Sequence, residues 1–221
     1  LEALQESINC NIQDTKHNGA TITIVNIDNN LNKIKVWWKG DSRAHIYEDN
    51  ELMFKTSSHN IFNEKEKERL KRENIEYIQD KKGTNFKFLG NNCIKMVKYP
   101  SYIILNNDEK INMTNCLGHN NATGKYIEKY ECDLKNYSKY KIIVASDGFW
   151  DMYYHNEDEK FMLSLNNSQE LVAYAEHKWK QEWTQIWKNN EYKQKFENHD
   201  DISVAMYYNY TIQPLTRPHT L

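Results

Sequence analysis

Three short stretches place carboxylates where a rigid element could aim them. Gly40-Asp41-Ser42-Arg43 lies between two strand-like runs, and Ser146-Asp147-Gly148-Phe149-Trp150-Asp151 begins where an apolar strand-like run stops. His199-Asp200-Asp201-Ile202-Ser203 opens a further strand-like run. Aspartates held at strand ends are hard oxygen donors of the kind that Mg2+ and Mn2+ take, and the glycine beside Asp147 lets another group approach the backbone. Each stretch also has an ordinary reading. The first can be a tight hairpin turn in which Asp and Ser bond the backbone. The second can be an Asp-Gly turn running into a helix N-terminus, where Asp151 adds favourable charge. Asp200-Asp201 can be a solvated turn, or one carboxylate turned to a cation and its neighbour to solvent. The residues taken singly leave these alternatives open.

The elements that must position these acids can be read from periodicity. Residues 1–8 carry apolar side chains at helical spacing, and Ala20 to Ile27 alternates β-branched residues as a strand does. Asp28-Asn29-Asn30 supplies a turn and Lys33 to Lys39 the returning strand, so 20–47 reads as a hairpin with a third strand after Gly40-Asp41. Asp49-Asn50 turns the chain again into Glu51 to Lys55. Residues 64–73 form a charged helix with little apolar face. Residues 80–125 give turn signals at Asp80 to Gly83 and Asn91-Asn92 and one short apolar run, Tyr102 to Leu105. Lys141 to Ala145 reads as a buried strand. Helices are expected at 157–165 and 168–188, the second with Leu171, Val172, Ala175, Trp179, Trp183 and Ile186 as a core stripe, and Asp201 to Tyr208 as a last strand. Strands, then helices, then a strand predict an α+β domain of antiparallel sheets over 1–210, with a tail at 211–221.

Composition narrows the function classes. The 221 residues are 39% hydrophobic and 13% aromatic. That argues against a disordered chain despite 27% charged residues and a mean hydropathy of -0.90. No apolar run reaches a membrane span and no signal pattern opens the chain. Lys and Arg number 29 against 31 Asp and Glu, a net charge of -2 with no basic stretch, so neither nucleic acid nor membrane is expected as a partner. Four cysteines without a C-x-x-C pair predict free thiols in a reducing, intracellular compartment. The five N-x-S/T triplets fit the Asn-rich composition.

In order along the chain, Gly19-Ala20-Thr21, GDSR, SDGFWD and DDIS resemble the G-S-T-A, G-D-S-R, S-D-G-L-W-D and D-N-I-T segments of the metal-dependent type 2C protein phosphatase (PPM) family. Between them Ser58-His59 resembles the family's D-H, Glu66 to Leu70 its E-x-x-R-I, and Leu117-Gly118-His119 its L-G-D. The resemblance implies a β-sandwich of two antiparallel sheets flanked by helices, with two Mg2+ or Mn2+ ions at one edge. A metal-activated water would then hydrolyse phosphoserine or phosphothreonine on a protein. Carried over by position, Asp147 and Asp200 would be metal ligands and Asp41 would lie at a third, weaker site. Arg43, Gly148, Asp151 and Asp201 would support the ligands without touching metal. Residues 57–140 would contain the family's variable flap. Two cations also suit the chemistry, since they lower the pKa of water and screen phosphate charge. No Cys-x5-Arg loop is present for a covalent route.

This chain departs from the family pattern upstream. It has no D-G-H-G-G loop and only four Arg, at 43, 69, 72 and 217, so no phosphate-gripping Arg is identified. The expectation is that the N-terminal part of the domain is missing, that the chain corresponds to its C-terminal two thirds, and that a second chain could supply the absent strands. The alternative is a catalytically inactive pseudophosphatase that serves as a binding scaffold.

Overall fold

Alternation of Ile34, Val36 and Trp38 with Lys33, Lys35 and Trp37 makes one face of a strand apolar, and that face decides the architecture. The computed structural model describes residues 19–79, 86–90, 93–97, 101–104, 110–119, 123–124, 126–136, 138–153, 157–187, 190–196 and 200–209. The expected helix at 1–8, the turns at 80–83 and 91–92, His199, and the tail at 211–221 lie outside them. Strand β1 is Gly19–Ala20, β2 Ile22–Asp28, β3 Lys33–Lys39, β4 Arg43–Glu48 and β5 Glu51–Lys55. Helix α1 (Glu64–Arg72) precedes β6 (Tyr77–Gln79), β7 (Phe86–Gly90), β8 (Cys93–Val97), β9 (Ser101–Ile104), β10 (Lys110–Ile111), β11 (Leu117–Gly118), β12 (Glu128–Asp133) and β13 (Tyr140–Ala145). Then come α2 (Asp147–Trp150), α3 (Glu157–Ser164), α4 (Ser168–Lys180), β14 (Trp183–Trp187), β15 (Asn190–Gln194) and β16 (Val204–Tyr208).

Two antiparallel sheets, ordered β12-β3-β2 and β16-β13-β4-β5, face each other. Between them Ile34, Val36 and Trp38 pack on Ala44, Ile46, Tyr140 and Ile142. The second sheet is apolar on both faces. Ile143 and Ala145, on the opposite side of β13 from Ile142, bury against Phe149, Trp150, Met162, Leu171, Ala175 and Trp183. This double burial is why Lys141 to Ala145 reads as a continuous apolar run. The result is the expected α+β sandwich with a helical layer on one side. The Asp49-Asn50 turn has both residues at positive φ, 51° and 69°. That is the twist a two-residue hairpin needs.

Two expectations are corrected. The helix predicted at 168–188 stops at Lys180, where Gln181 turns extended (φ -73°, ψ 161°). Trp183 to Trp187 instead forms β14, paired with β15 and β7. Basic residues His177, Lys178 and Lys180 complete the helix end, and the aromatic and β-branched residues beyond it gain more from sheet pairing. The last strand starts at Val204 rather than Asp201. Within 80–125 lie β7 to β11, too short for a clear period. Two further sheets, β10-β9-β6 and β15-β14-β7-β8, and the pair β1-β11 come partly from this stretch. Cys116 and Cys132 are free thiols. No helix among the described residues is long and apolar enough to cross a membrane.

Candidate metal centre

Asp41 is carried by a turn that has little freedom. Gly40 has a φ of 113°, where a side chain is strained. A Cβ there would also stand 2.5 Å from the Thr21 side chain. The Gly40 N–H donates to Nδ1 of buried His59 at 2.9 Å, and the His59 N–H donates to the Gly40 carbonyl at 3.0 Å. On the other side Thr21 Oγ1 bonds Ser42 Oγ, and Thr23 Oγ1 donates to the Ser42 carbonyl, each at 2.8 Å. Burial lowers the His59 pKa, which suits a neutral ring with its lone pair on Nδ1.

Asp147 follows directly from β13 as the first residue of α2. Its neighbour Ser146 joins two segments. Ser146 Oγ donates to the Asp201 carbonyl at 2.8 Å and accepts the Ser203 N–H at 3.0 Å. The Ser146 N–H donates to the Ser203 carbonyl at 3.0 Å. Gly148 permits the approach: a Cβ there would lie 2.5 Å from the Asp201 carbonyl oxygen and 3.2 Å from Asp200 Cβ. Gly148→Ala is therefore expected to push 200–201 away from Asp147 and to weaken Mn2+ binding by at least about tenfold, as disturbing a ligand's support commonly does. Calorimetric titration of the variant, beside its melting curve, measures this.

Electrostatics tie these stretches together. The Asp147 carboxyl is pushed up to about 6, first by burial and then by the charges of Asp41, Asp200 and Asp151, against one opposing hydrogen bond from the Gly148 N–H. Asp41 is raised in the same way, by burial first, with Asp151 and Asp200 adding and Arg43 opposing. Burial lowers the Arg43 pKa, while Asp151, Asp41 and Asp147 act to raise it. Arg43 also lies over the Trp150 ring, 5.5 Å from its centroid. So Asp41, Arg43, Asp147, Asp151 and Asp200 share one field, and Gly148 and Asp201 form the contact that closes it. Asp200 and Asp201 themselves are exposed.

Oxygen-only donors, crowded so that one of them holds its proton well above the ordinary range, fit a hard divalent cation that would relieve the repulsion. They do so as a partial shell: among the described residues, no three His, Cys, Asp or Glu side chains close round one ion. His119, in the place of the L-G-D aspartate, sits at φ 49° beside Gly19, whose added Cβ would stand 2.4 Å from the imidazole.

Residues 2–89 match the model of the family described as Protein phosphatase 2C. Among solved structures, the chain is similar to a C. elegans sex determining protein, at 15% identity over 86% of this chain and 40% of that one, with a TM-score of 0.56. That likeness shows the fold. A serine/threonine phosphatase of S. agalactiae is 21% identical over 80% of this chain and 62% of its own, with a TM-score of 0.48. The chain thus spans less than two thirds of either structure. Among curated protein sequences none matches it. The family match takes in the GDSR turn and ends before SDGFWD.

Residue types alone missed much of what frames the acids. Thr23, Ser146 and Trp150 act through hydrogen bonds to backbone and Thr21 through one to the Ser42 hydroxyl, and nothing in their spacing marks that role. The charged helix α1 buries a polar face. Glu66, fully buried, accepts hydrogen bonds from Thr114 Oγ1, from the Tyr126 hydroxyl and, at 3.1 Å, from Arg69 Nη2. Arg69 also donates to the Thr114 carbonyl at 2.5 Å and to Glu73 at 2.6 Å. Burial alone would raise Glu66, yet these donors hold it below the usual carboxylate range.

Proposed function

We propose that the chain carries part of the metal centre of a phosphoprotein phosphatase that hydrolyses phosphoserine or phosphothreonine. The observation that supports this best is the raised Asp147 carboxyl among Asp41, Asp151 and Asp200. Asp147 and Asp200 would hold Mg2+ or Mn2+, with Asp41 nearby as a donor to a further, weaker ion. Bound there, such cations supply Lewis acidity toward phosphate and lower the pKa of water. Arg43 tempers the negative field, and its guanidinium lies over the Trp150 ring. Asp201 contributes its carbonyl to the Ser146 clasp rather than its carboxylate to a cation. A second chain adding strands would meet the edges of β2 and β16, each of which has one neighbour among the described residues.

The test is Mn2+ calorimetry on the chain and on Asp147→Asn and Asp200→Asn, with p-nitrophenyl phosphate turnover read in parallel. Binding lost in both variants is the expected result. A folded chain that ignores millimolar Mn2+ would overturn the reading.

A second reading, a scaffold that binds without hydrolysing, has one observation in its favour. Of the described arginines, Arg43 is largely buried in the field of Asp151, Asp41 and Asp147, Arg69 is paired with Glu66 and Glu73, and Arg72 is exposed on α1. None of the three stands ready beside the acids to grip a phosphate. Metal binding without turnover would favour this reading.

A further inference from the structure

Trp150 has a role that its burial does not explain. It is 2% exposed and belongs to the core between sheet and helices, where any large aromatic side chain would fill the volume. Its indole N–H is placed more specifically. Nε1 donates to the Arg43 carbonyl at 3.1 Å and to the Ala145 carbonyl at 3.0 Å. Arg43 and Ala145 face each other as the last register pair of the β4–β13 ladder. Beyond that pair the two strands run on separately, one to Asp41 and the other to Asp147. The ring itself cannot swing. His45 stacks on it with centroids 3.9 Å apart, and Phe149 and Tyr153 meet it edge-on at 4.9 and 5.6 Å.

We propose that Trp150 is a positioning residue of the metal centre: its shared indole N–H braces the open end of the β4–β13 ladder and so fixes the spacing between Asp41 and Asp147. The inference rests on the metal-centre reading above. A phenyl ring cannot supply a donor that bridges two carbonyls, so Trp150→Phe removes the brace while keeping an aromatic ring in the core; the volume it also loses is matched by the Trp183→Phe control.

The experiment compares Mn2+ binding, by calorimetry, to the unsubstituted chain, Trp150→Phe, Trp183→Phe and Asp147→Asn. Trp183 is the internal control. It is 1% exposed, lies in the same core cluster, and donates its Nε1–H to the Lys178 carbonyl at 2.9 Å, a bond that spans no acid-bearing strand. Trp150→Phe should weaken Mn2+ binding by about 10- to 100-fold, the range for losing a group that orients metal ligands. Trp183→Phe should leave affinity within about twofold, whatever it does to the melting temperature. Equal losses in both tryptophan variants, or unchanged affinity in Trp150→Phe, overturn the brace.

A second measurement does not depend on the variant folding. In the unsubstituted 15N-labelled chain, the Trp150 indole resonance should shift on Mg2+ addition while that of Trp183 stays in place, and a silent Trp150 resonance overturns the proposal. If Asp147→Asn binds Mn2+ as well as the unsubstituted chain, the metal-centre reading itself fails. If Asp147→Asn loses binding and Trp150→Phe keeps it, only the brace fails.

Discussion

Arg69→Met should destabilise the chain by about 3–5 kcal/mol, the usual consequence of leaving a buried charge without its partner. The side chain of Glu66 has no solvent exposure and that of Arg69 is 4% exposed, so neither water nor a mobile neighbour can replace the guanidinium. Thr114 and Tyr126 would still donate to Glu66, which sets the loss nearer the lower bound. Urea unfolding measures it. The pH dependence identifies the cause. In the unsubstituted chain Glu66 sits below its ordinary value, so its contribution is present above about pH 4.5 and fades on acidification. In the variant Glu66 is buried unpaired and its pKa rises, so the penalty is relieved as pH falls. The two stabilities should therefore converge on acidification. Adding Glu66→Gln to the variant should recover part of the loss at neutral pH. Functionally, this network fixes Thr114, whose N–H donates to the His59 carbonyl, and His59 in turn grips Gly40 beside Asp41.

Asp147→Asn should make the metal-free chain more stable while abolishing its response to Mn2+. Folding raises this carboxyl from 3.8 to about 6. The folded chain therefore holds a proton that the unfolded chain releases between those values. That stabilisation is complete below about pH 4, is lost as pH rises through about 6, and at pH 7 leaves a net penalty. The group is partly exposed, so solvent screening reduces the penalty to about 1 kcal/mol. Asn carries no charge and escapes it. Saturating Mn2+ reverses the order, since a ligand at a hundred times its Kd adds about 2.7 kcal/mol to the protein that binds it. Melting curves with EDTA and with Mn2+ should cross over between the two proteins. A variant that melts below the unsubstituted chain in EDTA would contradict the crowding of carboxylates as the source of the shift.

What could be read in advance followed from where one physical signal dominated. β3 and β13 were legible because one has a single buried face and the other has two, and each leaves its own apolar pattern. The end of α4 was not, because Trp183 and Ile186 continue a helical spacing by coincidence while the backbone at Gln181 has already turned extended. α1 showed little apolar face because Leu70 shares its buried side with Glu66 and Arg69, and Glu66 depends on Thr114 and Tyr126, 48 and 60 residues away. The acids at 41, 147 and 200 stood out by order and neighbours. Their supports did not, because a hydroxyl or indole that bonds a distant carbonyl looks in sequence like any other Thr, Ser or Trp.

The clasp between Ser146 and Ser203 joins positions 57 residues apart, and the Trp150 bond to Arg43 reaches back 107. Contacts of such separation form late, after local hairpins. A nascent chain leaving the ribosome would therefore present Asp41 on a finished hairpin long before Asp200 exists to face Asp147. On the proposed metal-centre reading, cation loading would then be a step after synthesis rather than an aid to early folding. By the same logic, a protease that clips the segment before β16 would silence the proposed centre while leaving Asp41 and Asp147 untouched.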